Sequence, residues 1–285
     1  MTGGVFILGA GRAGRGLSRA LRASGVRVAG LHGRRAEGDP DVVTAGAIPD
    51  AAREADTVLV AVRDGQLEEA LGALAGIALA PGAVVLHASG SADPAALGLL
   101  RAKGHPCGTF HPLVPLADPS RAAERLRDAW IGVDGDEGAI AAAEELAARL
   151  GAHTLRIPAG EKAIYHAAAV VASNFPTVLA AVAVRLLGSI GMDERESWGA
   201  IRALMRGAVA NLDSDAPARA LTGPIVRGDV ETVQHHLAAL SSRPATRELY
   251  VMLSRMAVEL ARSSGADDDA LGRIDAALRG PTDHH

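Results

Sequence analysis

The stretch Val5-Phe6-Ile7-Leu8-Gly9-Ala10-Gly11-Arg12-Ala13-Gly14-Arg15-Gly16-Leu17 decides the fold of this chain. Its apolar start predicts a short buried strand, and the spacing of Leu17, Ala20 and Leu21 predicts a helix behind it. Between them lies a run that fits G-x-G-x-x-G. A strand, a glycine turn and a helix in this order are typical of a dinucleotide-binding Rossmann unit.

Each glycine of the turn has its own expected role. Gly9 permits the tight turn, Gly11 lets the backbone approach a pyrophosphate, and Gly14 lets the helix pack close to the strand. The helix N-terminus adds free N–H groups and a partial positive charge. The alternative is an ordinary glycine-rich turn. The residues expected to contact the cofactor here are Gly9, Ala10, Gly11, Arg12, Ala13 and Gly14.

Composition narrows the class of protein. The chain has 285 residues, of which 48% are hydrophobic, enough for one large domain or two modest ones. A net charge of −4 without a dense basic block argues against nucleic acid as a partner. Cys107 is the only cysteine, so an intrachain disulfide is excluded. The apolar run 167–184 is interrupted by Asn174 and Pro176. A strand-like run already begins at Val5, so a signal segment is not expected. We therefore expect a soluble cytoplasmic protein without membrane contact.

The first half of the chain alternates between strand and helix patterns. Strands are predicted at 26–31, 56–62, 83–86, 130–133 and 153–157, with a further short one around Ile48. This alternation predicts an α/β fold, a doubly wound and mostly parallel Rossmann sheet over residues 1–157. Ligands on such sheets lie beyond the carboxyl ends of the strands. That rule assigns Val62, Asp64, His87 and Ser89 to the cofactor site, and His111 to the same edge.

The end of the second predicted strand indicates which nucleotide is bound. NAD sites carry an Asp or Glu about 20 residues beyond the glycines, which binds the ribose 2′-hydroxyl. Here Arg34 and Arg35 occupy that region, and no carboxylate precedes Glu37. Guanidinium groups pair with a 2′-phosphate. The sequence therefore favours NADP over NAD; a solvated turn is the alternative for the two arginines.

From Gly160 onward the pattern is helical, which predicts a second, all-helical domain over residues 158–285. A long helix from Glu161 should kink or break near Asn174, because Pro176 removes a backbone donor. Further helices are predicted at 193–211, 229–240, 245–263 and 267–278, with Asp229 as an N-cap.

One stripe of the first helix in this half is polar. At 100° per residue, Lys162, His166 and Ser173 fall within about 40° of one another. Their neighbours are nearly all Ala and Val, so most of this helix should be buried, where isolated polar groups are costly. A solvent-exposed polar face is the alternative.

Five blocks of the sequence together carry a family resemblance. They are 9–14, His87-Ala88-Ser89-Gly90, His111-Pro112-Leu113, 162–174, and 221–229 with Thr232, His236 and Leu237. The chain resembles Rossmann-like proteins with a DUF2520 C-terminal domain, in the 6-phosphogluconate dehydrogenase-like clan with ketopantoate reductase and pyrroline-5-carboxylate reductase. The resemblance implies a nicotinamide-binding domain joined to a helical domain, commonly dimeric through the latter. In ketopantoate reductases an asparagine follows the helical lysine by four residues; here that residue is His166.

The resulting expectation is hydride transfer between NADPH and a small carbonyl substrate such as a 2-oxo acid. Lys162 would donate the proton, with His166 as its partner, and Asn174 would touch nicotinamide or substrate. Arg227 could clamp a substrate carboxylate, and Ser173 and His111 complete the substrate set. A cyclic imine substrate, a non-catalytic NADP-binding sensor and a methyltransferase are the alternatives; the two arginines argue against the last. No compact metal-ligand cluster stands out.

Overall fold

The structure is a computed structural model that describes residues 3–38 and 41–279. The chain forms two compact units, Met1–Asn174 and Phe175–His285. The strand pattern ends near residue 157, whereas the first compact unit continues through the next helix to Asn174.

The first unit is built on one eight-stranded sheet, and the predicted Rossmann architecture is confirmed. The strand order is β3-β2-β1-β4-β5-β6-β7-β8, and the pairs are parallel except for β6 with β7. The strands are β1 (Val5–Leu8), β2 (Val28–His32), β3 (Val43–Thr44), β4 (Thr57–Val60), β5 (Val84–His87), β6 (Cys107–Pro112), β7 (Trp130–Gly135) and β8 (His153–Arg156).

Helices cover both faces of this sheet because successive side chains of a strand alternate between faces. In β1, Val5 and Ile7 join a core with Leu17. Phe6 and Leu8 join a second core that includes Leu71. The helices of the first unit are α1 (Arg12–Ala23), α2 (Asp50–Arg53), α3 (Leu67–Ala75), α4 (Gly98–Arg101), α5 (Ala122–Leu126), α6 (Glu137–Arg149) and α7 (Lys162–Ser173).

The prediction of a short strand at Ile48 was wrong. The strand in that region is β3, whose Val43 pairs with Leu31 of β2. Ile48 instead packs, partly buried, against the core that holds Phe6. An isolated apolar residue can serve a core from a loop, so it does not by itself define a strand.

The second unit is helical, as predicted, with a core of its own. Its helices are α8 (Phe175–Gly188), α9 (Glu194–Ser214), α10 (Pro217–Ala220), α11 (Val230–Ala239), α12 (Pro244–Ser263) and α13 (Asp268–Arg279). The core joins α11, α12 and α13 through residues such as Val233, Val258 and Ile274. Asp229 caps α11, because its carboxylate accepts a hydrogen bond of 3.0 Å from the Thr232 N–H.

The predicted interruption near Asn174 is also confirmed, since α7 ends at Ser173 and α8 begins at Phe175. The prediction that most of α7 is buried was wrong: Lys162 is the only buried residue of this helix, because an Ala- and Val-rich composition does not determine whether another element covers a helix. The combined stretch Lys162–Gly188 spans 27 residues with a mean hydropathy of 1.9, long and apolar enough to cross a membrane by length and composition. A single stretch of this kind is weak evidence for a membrane span.

Candidate functional site

The glycine turn between β1 and α1 is shaped by close approaches of the backbone. Gly9 has a φ of +119°, a conformation that side chains disfavour. A Cβ on Gly14 would lie 1.8 Å from the carbonyl oxygen of Gly9, so helix and turn could not approach this closely with any other residue. A Cβ on Gly11 would meet no atom within 4 Å, because that residue faces open space. The turn therefore has the cradle shape expected of a phosphate site.

Acidic residues beyond β2 are engaged by arginines of α1. The buried Asp41 accepts hydrogen bonds from Arg19, one of them at 2.7 Å, and lies 3.3 Å from Arg15. Hydrogen bonding to Arg19 lowers the pKa of Asp41, and burial opposes this only in part. Arg15 also pairs with Glu37 and donates to the Ala10 carbonyl at 2.9 Å. The charges of Asp41 and Glu37 are thus balanced by arginines, and Arg15 links the glycine turn to the loop after β2.

Three further arginines stand at the same end of the sheet. Arg12 begins α1, and Arg34 and Arg35 follow β2; all three are exposed. Within residues 3–38 and 41–279, none of the three forms an ion pair. Their guanidinium groups are therefore available to an anionic group bound beside the cradle.

The loops after β4 and β5 connect the cradle to a polar cluster. A Cβ on Gly9 would lie 3.0 Å from Val62, so the turn rests against the end of β4. Asp64 accepts a 2.8 Å hydrogen bond from the Ser91 hydroxyl. Burial acts to raise the pKa of Asp64, but hydrogen bonds from Ser89 and Ser91 and the nearby His166 and His87 outweigh it, and the net shift is downward.

Three histidines lie near one another at the carboxyl ends of β5 and β6: His87 ends β5, His111 is in β6, and His166 comes from α7. His87 is fully buried, and neither ring nitrogen has a hydrogen-bond partner in the described part of the chain. Burial and then the charge of Lys162 lower the pKa of His87 to about 4, and the same two causes lower that of His111 to about 4. A Cβ on Gly90 would lie 2.5 Å from Nδ1 of His166 and 2.7 Å from Nε2 of His111. Two imidazole nitrogens therefore flank one point of the main chain, and His87 and His111 are neutral at neutral pH.

Lys162, the first residue of α7, carries the basic group of this cluster. It is 2% exposed, and its Nζ has no hydrogen-bond partner among the described residues. Burial lowers the pKa of Lys162 to about 8, although the carboxylates of Asp134 and Asp93 oppose the shift. Its Nζ lies 5.6 Å from the centre of the Tyr165 ring. An amine with this pKa can hold or release a proton close to neutral pH.

Tyr165 belongs to the cluster, and the sequence analysis did not single it out. Its hydroxyl lies 2.8 Å from Nδ1 of His111. The spacing i, i+3, i+4 places Lys162, Tyr165 and His166 on one face of α7, which was the available signal. Sequence could not identify the partner, since His111 comes from β6, far away along the chain.

The remaining predicted residues lie outside this cluster. Ser173 and Asn174 are exposed; the Ser173 hydroxyl donates to the Ala169 carbonyl at 2.7 Å and contacts the Asn174 side chain at 3.0 Å. Arg227 belongs to the second unit, where it is exposed in the loop before α11. Among the described residues, no group of three or more His, Cys, Asp or Glu side chains is arranged to hold a metal ion.

Comparison with known families supports the resemblance over part of the chain. Residues 129–257 match the family described as "Domain of unknown function (DUF2520)". A comparison with curated proteins gives no match.

Solved structures share the fold. Protein TM1727 from Thermotoga maritima aligns with a TM-score of 0.75 at 24% identity, over 91% of this chain and 99% of that one. The pyrroline carboxylate reductase of Plasmodium falciparum, solved with NADP bound, aligns with a TM-score of 0.63 at 10% identity. The alignment covers 96% of this chain and 98% of the reductase. A reductive aminase from Aspergillus terreus, in complex with NADPH and ethyl levulinate, aligns with a TM-score of 0.59 at 16% identity. The alignment covers 97% of this chain and 92% of the aminase.

Proposed function

We propose that this chain, whose residues 129–257 match DUF2520, is an NADP-dependent oxidoreductase that transfers hydride to a small carbonyl compound, a 2-oxo acid. One observation carries the proposal. The buried Nζ of Lys162 has no hydrogen-bond partner in the described part of the chain, and its charge acts on the neutral His87 and His111 of the sheet that also holds the glycine cradle. Buried polar groups without partners are costly, and they are commonest where a ligand completes them.

Support for NADP comes from both the site and the relatives. The cradle offers backbone N–H groups to a pyrophosphate, and Arg34 and Arg35 offer guanidinium groups to a 2′-phosphate. The Plasmodium reductase and the Aspergillus aminase were solved with NADP and NADPH respectively. When bound, this nucleotide would supply the hydride.

The chain's own residues would handle the proton and the charge. Reduction of a ketone leaves negative charge on its oxygen, which an ammonium stabilises and then protonates. Lys162 is the proton donor in this proposal, and His166 lies on the same face of α7 as its partner. The neutral His87 and His111 can donate or accept hydrogen bonds without adding charge.

The charge of the site favours a carbonyl over an imine. An iminium ion is a cation, and a buried ammonium beside it would be repelled. A 2-oxo acid brings a carboxylate instead, which the same ammonium attracts. A cyclic imine remains the second candidate, because the pyrroline carboxylate reductase and the reductive aminase share the fold.

A substrate screen tests this choice. NADPH oxidation is followed with a panel of 2-oxo acids, ketopantoate included, and with cyclic imines. We expect turnover with a 2-oxo acid and its loss in Lys162→Met, while NADPH affinity by calorimetry stays within about threefold of wild type. Turnover with cyclic imines but with none of the 2-oxo acids would refute the carbonyl substrate and support an imine substrate instead. NADPH binding without any turnover would favour a non-catalytic sensor.

We further propose that residues 158–285 serve as the substrate and dimerisation domain of a soluble, cytoplasmic homodimer. Large apolar side chains are exposed on the second unit, including Leu204 at 70%, Val209 at 61% and Met252 at 63%. Large apolar side chains exposed to this degree are typical of residues that a protein interface covers. Sedimentation should report a dimer that Leu204→Glu weakens. Leu99→Glu, at a residue of the first unit that is 66% exposed, is the matched control and should leave the dimer intact.

A further inference from the structure

We propose that Tyr165 is a positioning residue that holds His111 in the tautomer with its proton on Nε2. His111 then presents a neutral N–H donor on the side of its ring that lies next to Gly90 and His166. The contact that carries this proposal is the 2.8 Å distance between the Tyr165 hydroxyl and Nδ1 of His111. The two rings meet edge to face, with their planes at 81° and their centres 5.6 Å apart.

The hydroxyl donates in this contact because it is the better donor of the pair. Burial raises the pKa of Tyr165 above its ordinary value, so the phenol keeps its proton. His111 is neutral at neutral pH, so one of its ring nitrogens is an acceptor. A phenol O–H is a stronger acid than an imidazole N–H, which favours O–H···N over N–H···O. Nδ1 therefore accepts, and Nε2 carries the proton.

The sheet fixes the position of the hydroxyl. Gly132 of β7 is the register partner of His111 of β6. A Cβ on Gly132 would lie only 2.1 Å from the Tyr165 hydroxyl oxygen, so the phenol occupies space that any other residue would fill. The hydroxyl is thus seated over the strand pair from which His111 projects.

The other side of the His111 ring packs against the main chain at Gly90. Its Nε2 lies 2.7 Å from the position of a Cβ on Gly90, and Nδ1 of His166 lies 2.5 Å from the same position. The His111 and His166 rings are 6.0 Å apart. A protonated Nε2 can donate to an oxygen acceptor that approaches the ring beside this main-chain contact. The identity of that acceptor as a substrate carbonyl rests on the proposed function; the tautomer of His111 does not.

The tautomer can be observed directly. Protein labelled with ¹⁵N-histidine gives long-range ¹H–¹⁵N correlations that separate protonated from unprotonated ring nitrogens, and His111→Gln assigns the His111 signals among the ten histidines. At pH 7 we expect His111 to be protonated on Nε2 only. In Tyr165→Phe, which keeps the ring, we expect a mixture of both tautomers and about a tenfold lower kcat with an unchanged KM for NADPH. Gly132→Ala displaces the hydroxyl and should give the same mixture.

The chain contains its own control pair. Its only other tyrosine, Tyr250, lies with its hydroxyl 2.9 Å from Nδ1 of His236 in the second unit. Tyr250→Phe should leave the His111 signals unchanged. Protonation of His111 on Nδ1 in the wild type, or an unaltered tautomer in Tyr165→Phe, would overturn the proposal. A wild type that reduces no carbonyl compound yet shows the Nε2 tautomer would contradict the proposed function alone.

Discussion

Replacement of Lys162 by methionine should make the first unit more stable at neutral pH. Methionine fills a similar volume without a charge, and Lys162 is 2% exposed with no hydrogen-bond partner for Nζ in the described structure. Burial lowers its pKa from 10.5 to about 8. At about 1.4 kcal/mol per pKa unit, the charged lysine costs the folded state about 3 kcal/mol below pH 8. We therefore expect Lys162→Met to raise the free energy of unfolding by about 2 to 3 kcal/mol at pH 7.

The lowered pKa of Lys162 also determines how the stability advantage of Lys162→Met depends on pH. Between about pH 8 and 10.5 the unfolded chain keeps the lysine proton while the folded chain has lost it. The unfolded state then binds more protons, so wild-type stability rises with pH across this window. The advantage of the variant should accordingly be largest below pH 8 and should nearly vanish by pH 10.5.

Urea unfolding at pH 7 and pH 9.5 measures the stability gain of Lys162→Met and its decrease with rising pH. The two tryptophans are Trp130 in the first unit and Trp198 in the second, so a Trp198→Phe background reports on the first unit alone. The chain has only one other lysine, the exposed Lys103, whose Nζ donates to the Ala75 carbonyl. Because only that hydrogen bond is lost, Lys103→Met should lower stability by no more than about 1 kcal/mol. Equal or lower stability of Lys162→Met at pH 7, or a gain independent of pH, would refute the reasoning.

Four further outcomes are expected. The value of kcat/KM should fall above about pH 8, where the Lys162 proton is lost, and steady-state NADPH oxidation across pH 6–10 checks it. Gly14→Ala should destabilise the first unit by about 3 kcal/mol in urea unfolding, because its Cβ would lie 1.8 Å from a carbonyl oxygen. Gly11→Ala, which faces open space, should stay within about 1 kcal/mol of wild type yet bind NADPH more weakly in calorimetry. Replacing Arg34 and Arg35 by Ala should weaken NADPH binding at least about tenfold and leave NADH binding unchanged.

Local patterns determined most of the fold. The apolar run Val5–Leu8 and the glycine spacing after it required a strand, a tight turn and a helix, and the structure contains all three. Periodicity likewise predicted α9, α11, α12 and α13 within a few residues, because amphipathic spacing is a property of the chain itself. The same reasoning failed at Ile48, where a single apolar residue carries no period.

The candidate site was predicted only in part, because its residues come from separate elements. Lys162 was recognisable, since a lysine on an otherwise apolar helix is unusual. Its lowered pKa depends on burial, which sequence does not reveal. The expected polar stripe also divided: Lys162 is buried, whereas Ser173 on the same helix is exposed.

The sequence by itself determined that the chain has a nucleotide-type glycine cradle, an alternating sheet and a helical second half, because short-range spacing encodes each of them. Only the tertiary structure decided that the Tyr165 hydroxyl contacts His111 and that the rings of His166 and His111 both pack next to Gly90. Those contacts depend on which strands become neighbours and in what register. Strand pairing brings together residues that are distant in the chain, and no local pattern specifies it.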